Sequence, residues 1–522
     1  MKKNPGIFND VIGPIMRGPS SSHTAASWRA AKSCLDILNE PLKSAIIDFD
    51  KDGAWAANYR EQGTTLGIDG GLLGLLMTDD KMKNTGQVAN ELGISIRYEI
   101  NSFKTNHVNT VRLTLVGIRG KRIRVLVASL GGGSFEIQEI NDFKVSIFGD
   151  YYELLLFKNK SDEVSEKIKS LFPKNQIISE SFNDNKQLIN LKFSKEISSE
   201  VTDLLKNIAF VDDVILVNPV LPITAGNETG LPFTTVASLL EYAEKQNLDL
   251  GQLGLIYEKA QSGLADSVIV NSMKGLVEII ENSIKTGLAG TAYEDRILPQ
   301  QSHLIDRAHR KGKILQNSIM NQIIANVSAI MESKSAMEVV VANPTAGSCG
   351  VIGGVLRAVA DDIDATHDEL ISAYFATGII GAYFAMGPGF SAEEHGCQVE
   401  CGASAGMAAA GIVQLFGGTA RQAIDAASMA IQNMIGLVCD PIADRVEAPC
   451  LGKNISAAVN ALSSATMSIA GYNALIPLNE VIETVSNVSK QMPTCVKCTG
   501  KGGLAITKTA CAIKEKLTLK IL

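Results

Sequence analysis

The chain has 522 residues, of which 46% are hydrophobic and 20% charged, and its formal net charge is −7. That length predicts two to four domains, and the apolar content is enough for large cores and excludes a disordered chain. The acidic balance excludes a nucleic-acid footprint, which needs a basic patch. Nine cysteines are too sparse for a disulfide framework, and MKKNPGIFND has no apolar signal region. The expected setting is therefore cytoplasmic and reducing, where clustered thiols bind metal more readily than they pair. The longest apolar runs, such as GLVCDPIA and GASAGMAAAGIV, are broken before membrane-spanning length, so no membrane helix is expected.

In chain order, the first third mixes strands with helices. ASWRAAKSCLDILNE reads as a helix, and SAIIDFD (44–50), NTVRLTLVGI (109–118) and RIRVLVASL (122–130) carry the β-branched, partly alternating pattern of strands. From 146 to 218 the order is strand (KVSIFG, YYELLLF), helix (DEVSEKIKSLF), strands (QIISESF, QLINLKF), helix (SSEVTDLLKNI) and strand (DVILVNP). This predicts a βαββαβ module. VLPITAGNETGLPFTT reads as a loop or linker, with Thr234 or Thr235 capping a helix that starts near Val236. Beyond it almost everything has helical periodicity, and small residues allow close helix packing. The predicted architecture is α+β over 1–145, a small module over 146–222, a linker over 223–235 and an all-helical part over 236–522.

Chemistry concentrates in a few stretches. GPSSSHTAA (Gly18 to Ala26) precedes a helix, so its hydroxyls and backbone N–H groups suit a carboxylate or phosphate, and His23 adds a proton donor or a cation. NPTAGSCG (Asn343 to Gly350) is a second such element before an apolar helix. Serine-rich capping loops are common, and each motif alone fits that plainer role as well. Cys397, Cys439 and Cys450 follow at intervals of 42 and 11. Three thiolates on an iron–sulfur cluster would leave one iron open, but inert thiols in a helical core fit the spacing too. Cys401, four positions after Cys397, is a rival ligand, CVKC (Cys495, Cys498) suggests redox or zinc chemistry, and Cys34 and Cys511 read as core thiols. His303, His309 and His367 sit among charged helical residues. His107 and His395, at element boundaries, are better functional candidates.

Taken together, GPSSSHTAA, NHVNT, SLGGGSFEI, NPTAGSCG, GCQVECGASAGMAAA, GLVCDPIADRVEAPC and TGKGGLA occur in the order found in the iron–sulfur-dependent L-serine dehydratases. The chain resembles the β and α portions of that family fused, β first. The resemblance implies an α/β domain, an ACT-type module over 146–222 and an all-helical α portion. It also implies a [4Fe–4S] cluster held by Cys397, Cys439 and Cys450. The implied reaction is β-elimination from L-serine or a related β-substituted amino acid, giving a 2-oxo acid and ammonia. Substrate contacts would come from Ser20, Ser21, Ser22, His23, Thr24 and Asn109 on the β side, and from Thr345 and Ser348 on the α side. A small amino-acid substrate and a homodimer are the implied partners.

The chain also departs from the family pattern. Where a KGHGTD-like element carries a histidine, YREQGTTLGIDGG has Gln62, with Thr65 in the aspartate's place. An amide cannot act as a general base. The RETGQGG element is here KCTGKGG, Lys497 to Gly503, and no TGGD-like element is clear around GLAGTAYEDRILPQQS. The expected proton acceptors are therefore His107 or Lys497. The departures also leave two alternatives, an L-cysteine desulfidase-type lyase and an inactive amino-acid sensor.

Overall fold

The computed structural model describes residues 4–521 apart from 104, 174–176, 209, 226–229 and 294–295. Parts of four expected segments lie outside the described residues: 1–3 of the N-terminus, 176 in QIISESF, 226–229 of the linker and 294–295 of the stretch before Arg296.

A six-stranded sheet dominates the first part. Its strands run in the order Ser95–Asn101, Leu42–Asp50, Thr110–Gly117, Arg122–Gly131, Ser134–Ile140, Phe143–Ile147, antiparallel except for the first pair. The helices Ala26–Leu38 and Thr64–Leu72 pack together, and the first buries Ala30, Cys34 and Ile37 against the sheet's Ile47, Leu113 and Val125. KVSIFG was expected to open the small module. It instead forms the sixth strand of this sheet, because Phe143 and Ile147 turn into its core.

The module proper has four antiparallel strands in the order Val211–Val217, Tyr152–Asn159, Lys186–Phe193, Ile177–Asn183. The helices Asp162–Ser170 and Ser199–Lys206 complete a βαββαβ chain order. The following linker ends where Thr235 caps the helix Val236–Gln246, its hydroxyl accepting from Ser238 N.

From Val236 onward the described chain is mostly helical. The helix His367–Met386 is long and apolar enough to cross a membrane by length and composition, and 78% of its most apolar window is buried among its neighbours. Glycines allow this close packing. At Gly254, in the helix Leu250–Ser262, a Cβ would stand 2.3 Å from the carbonyl oxygen of Phe375.

Two features tie the first part to the helices. Ile7, Phe8, Val11 and Ile12 lie in the helical core rather than under the sheet. The Ile7 amide donates to the buried Glu258 at 2.6 Å, and the Tyr257 hydroxyl donates to Pro5 O at 2.7 Å. Ile15–Met16 then pairs antiparallel with Val340–Val341. Replacing Gly254 by valine should overpack this interior and lower the free energy of unfolding by about 1–3 kcal/mol, read by chemical denaturation. An unchanged midpoint would contradict the close helix contact.

Candidate active site

The site lies where the Ser20–Thr24 turn meets the helical part. Ser21–Ala25 is a short π-helical turn that runs straight into the helix Ala26–Leu38, and all its side chains are buried. Ser21 Oγ accepts from Ala346 N at 3.2 Å, which joins GPSSSHTAA to NPTAGSCG. Thr24 Oγ1 donates to Gln62 O at 3.2 Å, and Ser129 Oγ donates to Ser22 O at 2.7 Å.

His23 is the centre of this seam, with no exposed surface. Its Nδ1 lies 3.1 Å from Ser20 Oγ, 3.2 Å from Ser22 Oγ and 3.4 Å from Glu393 Oε1. Nε2 lies 3.2 Å from Asn58 Oδ1, an acceptor, so Nε2 carries a proton and Nδ1 is the basic nitrogen of the neutral ring. Glu393 accepts from Ser22 Oγ and from Ser391 Oγ, each at 3.0 Å. Burial pulls the His23 pKa down, against the opposing effects of Glu393 and Asn58.

Across the seam, Thr345 Oγ1 donates to Glu400 Oε1 at 2.7 Å and lies 3.2 Å from Ser348 Oγ. Burial, reinforced by the nearby Cys397 thiol, pushes the Glu400 carboxyl up to about 8. Asn109 and Asn343 are both fully buried, and neither polar atom of either side-chain amide has a partner among the described residues. Buried polar groups are rarely left unpaired, so two orphaned amides beside the seam are the mark of a ligand site.

Cys397, Cys439 and Cys450 are all buried. Cys397 acts electrostatically on both of the others, and Glu400 acts on Cys439 and Cys450 as well. The neighbouring Cys401 thiol brings the Cys397 pKa down to about 7, against the pull of burial. Cys439 is raised well above its usual value, first by its hydrogen bond with Cys498 and then by burial. Burial also raises Cys450. Two ammonium groups flank the thiols. Lys453 donates to Val438 O at 2.7 Å and Asp440 Oδ1 at 2.6 Å, and the fully buried Lys334 donates to Val446 O. Among the described residues, no three His, Cys, Asp or Glu side chains close around a single metal ion. A cluster places each ligand on a different iron and does not need that convergence. Three buried thiols with two cations beside them are a donor set chemically suited to it.

The expected bases stand further out. His107, half-buried, accepts from Asn109 N at 3.1 Å, and its Nε2 lies 3.8 Å from Glu394 Oε1. Lys497 sits in a single β-bridge with Cys439, held by Cys439 N to Val496 O and Cys498 N to Cys439 O, both 2.8 Å. CVKC is not a paired unit, because Cys495 is exposed and Cys498 is buried. Cys511, read as a core thiol, is exposed as well, since its helix Lys508–Ile521 lies at the surface. The two departures from the family pattern touch: Gln62 Nε2 donates to Cys498 Sγ at 3.5 Å, and Asn58 Nδ2 donates to Cys498 O at 3.4 Å. Glu393, Glu400, Asn58, Asn343, Lys334 and Lys453 were not singled out from the sequence. The two acids lie within four positions of Cys397, Lys453 lies three after Cys450, and Asn343 opens NPTAGSCG.

Residues 178–505 match the family model described as "Serine dehydratase alpha chain", and the chain belongs to that family. It is 33% identical over 285 residues to the probable L-serine dehydratase, alpha chain, of Bacillus subtilis (strain 168), covering 55% of this chain and 95% of that one. The probable L-serine dehydratase, alpha chain, of Latilactobacillus sakei is 37% identical over 199 residues, covering 38% of this chain and 95% of that one. L-serine dehydratase 1 of Escherichia coli (strain K12) is 32% identical over 291 residues, covering 54% of this chain and 64% of that one.

The lowered His23 pKa has a pH consequence. The folded chain binds fewer protons at this ring than the unfolded chain, whose imidazole titrates near 6.5. Stability from the neutral ring is fully present above that value and is lost as pH falls below it. A His23→Gln variant should show a shallower loss of unfolding midpoint between about pH 6.5 and 5 than the parent. Identical slopes would contradict the neutral buried ring.

Proposed function

We propose that the chain is an iron–sulfur-dependent L-serine ammonia-lyase, converting L-serine to pyruvate and ammonia. The observation that carries this reading is the meeting of two element sets at one buried seam. Ser20–Ser22, His23 and Asn109 lie on one side, and Asn343, Thr345, Ser348 and the thiols with Lys334 and Lys453 lie on the other. Family membership and the relatives' names support the same reaction.

In this reading Cys397, Cys439 and Cys450 hold a [4Fe–4S] cluster. When bound, it supplies a Lewis-acidic iron that offsets the negative charge of the departing hydroxide. The residues of the chain do the rest. Ser20, Ser21, Ser22, Thr345 and Ser348 surround the substrate carboxylate, and Asn109 and Asn343 offer donors and acceptors to its polar groups. His23, neutral and with Nδ1 as its basic nitrogen, takes the Cα proton, and Glu393 stabilises the imidazolium that results. Gln62 cannot fill that role, and among the described residues His107 and Lys497 lack an equally buried carboxylate partner. Loss of the Cα proton and the β-hydroxyl gives aminoacrylate and water. Tautomerisation to the imine and hydrolysis then yield pyruvate and ammonia. The βαββαβ module is proposed to be ACT-like on its topology, and the active form to be a homodimer in the cytoplasm.

The test is anaerobic turnover by the cluster-loaded chain, assayed for pyruvate and ammonia with serine, threonine and cysteine offered separately. Serine should be the best substrate. Ammonia from none of the three would overturn the lyase reading. Preference for cysteine with sulfide release would replace serine, and the Cys498–Gln62 contact is the feature that would explain it. His23→Gln should lower kcat by about 10²–10⁴-fold with a smaller change in KM, and Glu393→Gln should lower it less. Unchanged kcat in His23→Gln would move the proton acceptor elsewhere.

A further inference from the structure

A cavity of about 460 Å³ lies away from the thiols, and of the seam residues described above only Ala25, at the end of the Ser21–Ala25 turn, reaches its wall. Five stretches of the chain build it. Trp28 and Arg29 come from the helix Ala26–Leu38, Leu221 from the segment that follows the four-stranded module, and Leu276 from the helix Asp266–Ala289. Ile12 and Met77 make much of the remaining wall apolar.

Arg29 is out of place in such a wall. It is only 3% exposed, and its guanidinium makes a single hydrogen bond, from Nη1 to Gly133 O at 2.7 Å. Among the described residues it forms no ion pair, and its other N–H groups have no acceptor. Burial draws its pKa down to about 10, opposed by Asp10, so the group is still a cation at neutral pH. Asp10 acts on the group only through its charge, and a buried guanidinium with one hydrogen bond and no direct ion pair keeps donors for a ligand anion. A largely apolar cavity between structural units with one convergent charged group is the form that small-molecule sites take. A guanidinium with free parallel donors matches a carboxylate in two-point geometry.

We propose that this cavity binds a small monocarboxylate carrying an apolar body, with its carboxylate on Arg29 and its body against Trp28, Met77, Leu221 and Leu276. Because the walls come from five stretches of the chain, the bound molecule holds them together, and binding raises the thermal midpoint as well as giving a direct signal. The site is independent of the lyase reading, since its occupancy needs neither the cluster nor turnover.

The probe is 3-phenylpropanoate, titrated by calorimetry into the full chain, with 3-phenylpropanamide as the uncharged control. Trp28 is one of only two tryptophans, so its fluorescence provides a second readout. Saturable binding of the acid is expected, about tenfold or more tighter than the amide and weakened by a similar factor in Arg29→Gln. Arg29 also holds Gly133, so Ser272→Phe serves as a second variant. It places a bulky ring in the cavity wall, leaves Arg29 intact, and should abolish binding of the acid while the thermal midpoint of the unliganded protein is retained. Equal affinities for acid and amide, binding unaffected by both substitutions, or no saturable binding of the acid in the millimolar range would each overturn the proposal.

Discussion

The rest of the structure depends on one polar contact, that between the His23 turn and Glu393. An imidazole, a carboxylate and three serine hydroxyls are buried together there, and each satisfies another. Burying such groups singly would cost several kcal/mol apiece, so they are stable only as a complete set. The set is complete only when the α+β part and the helical part are docked. The early residues Ile7–Ile12, sunk into the helical core, and the strand pair Ile15–Met16 with Val340–Val341 hold that docking in place. The fold therefore makes one buried site from two sequence-distant motifs.

The second constraint is electrostatic. Cys397, Cys439, Cys450 and Glu400 crowd potential negative charge into a region shielded from water, and Lys334 and Lys453 are the cations that offset it. Against the pull of burial, Cys397, Asp440 and Cys439 hold the Lys453 ammonium above its ordinary range. Such an arrangement is poorly suited to a merely structural core, where apolar side chains of similar size pack at lower cost. It suits thiolates that carry a positively charged inorganic centre. The contact between Gln62 and Cys498 adds to this picture. Two positions that depart from the family pattern are adjacent in space, and Cys498 N in turn donates to Cys439 O, so the departures act together beside Cys439 rather than separately.

Much of this architecture is legible in the sequence because it is local. Alternating β-branched runs gave the strands, and Thr235 marked its helix by cap chemistry. The hydroxyl-rich turn stood directly before a helical pattern. What could not be read is what depends on distant packing. Phe143–Ile147 has the strand signal, but only the company of Phe143 and Ile147 in the sheet core decides which sheet it joins. Glu393 and Glu400 look like ordinary helix-terminal acids until burial beside His23 and Cys397 sets them apart. Cys511 and Cys34 have similar apolar surroundings in sequence, yet one is exposed and the other buried.

The central claim is that Cys397, Cys439 and Cys450 together hold an iron–sulfur centre at this seam. Iron and acid-labile sulfide, measured in the full chain after anaerobic loading, test it most directly. About four of each per chain are expected in the parent, with loss of most of both in Cys397→Ser, Cys439→Ser and Cys450→Ser alike. A parent chain that takes up no iron, or three variants that load as fully as the parent, would contradict it.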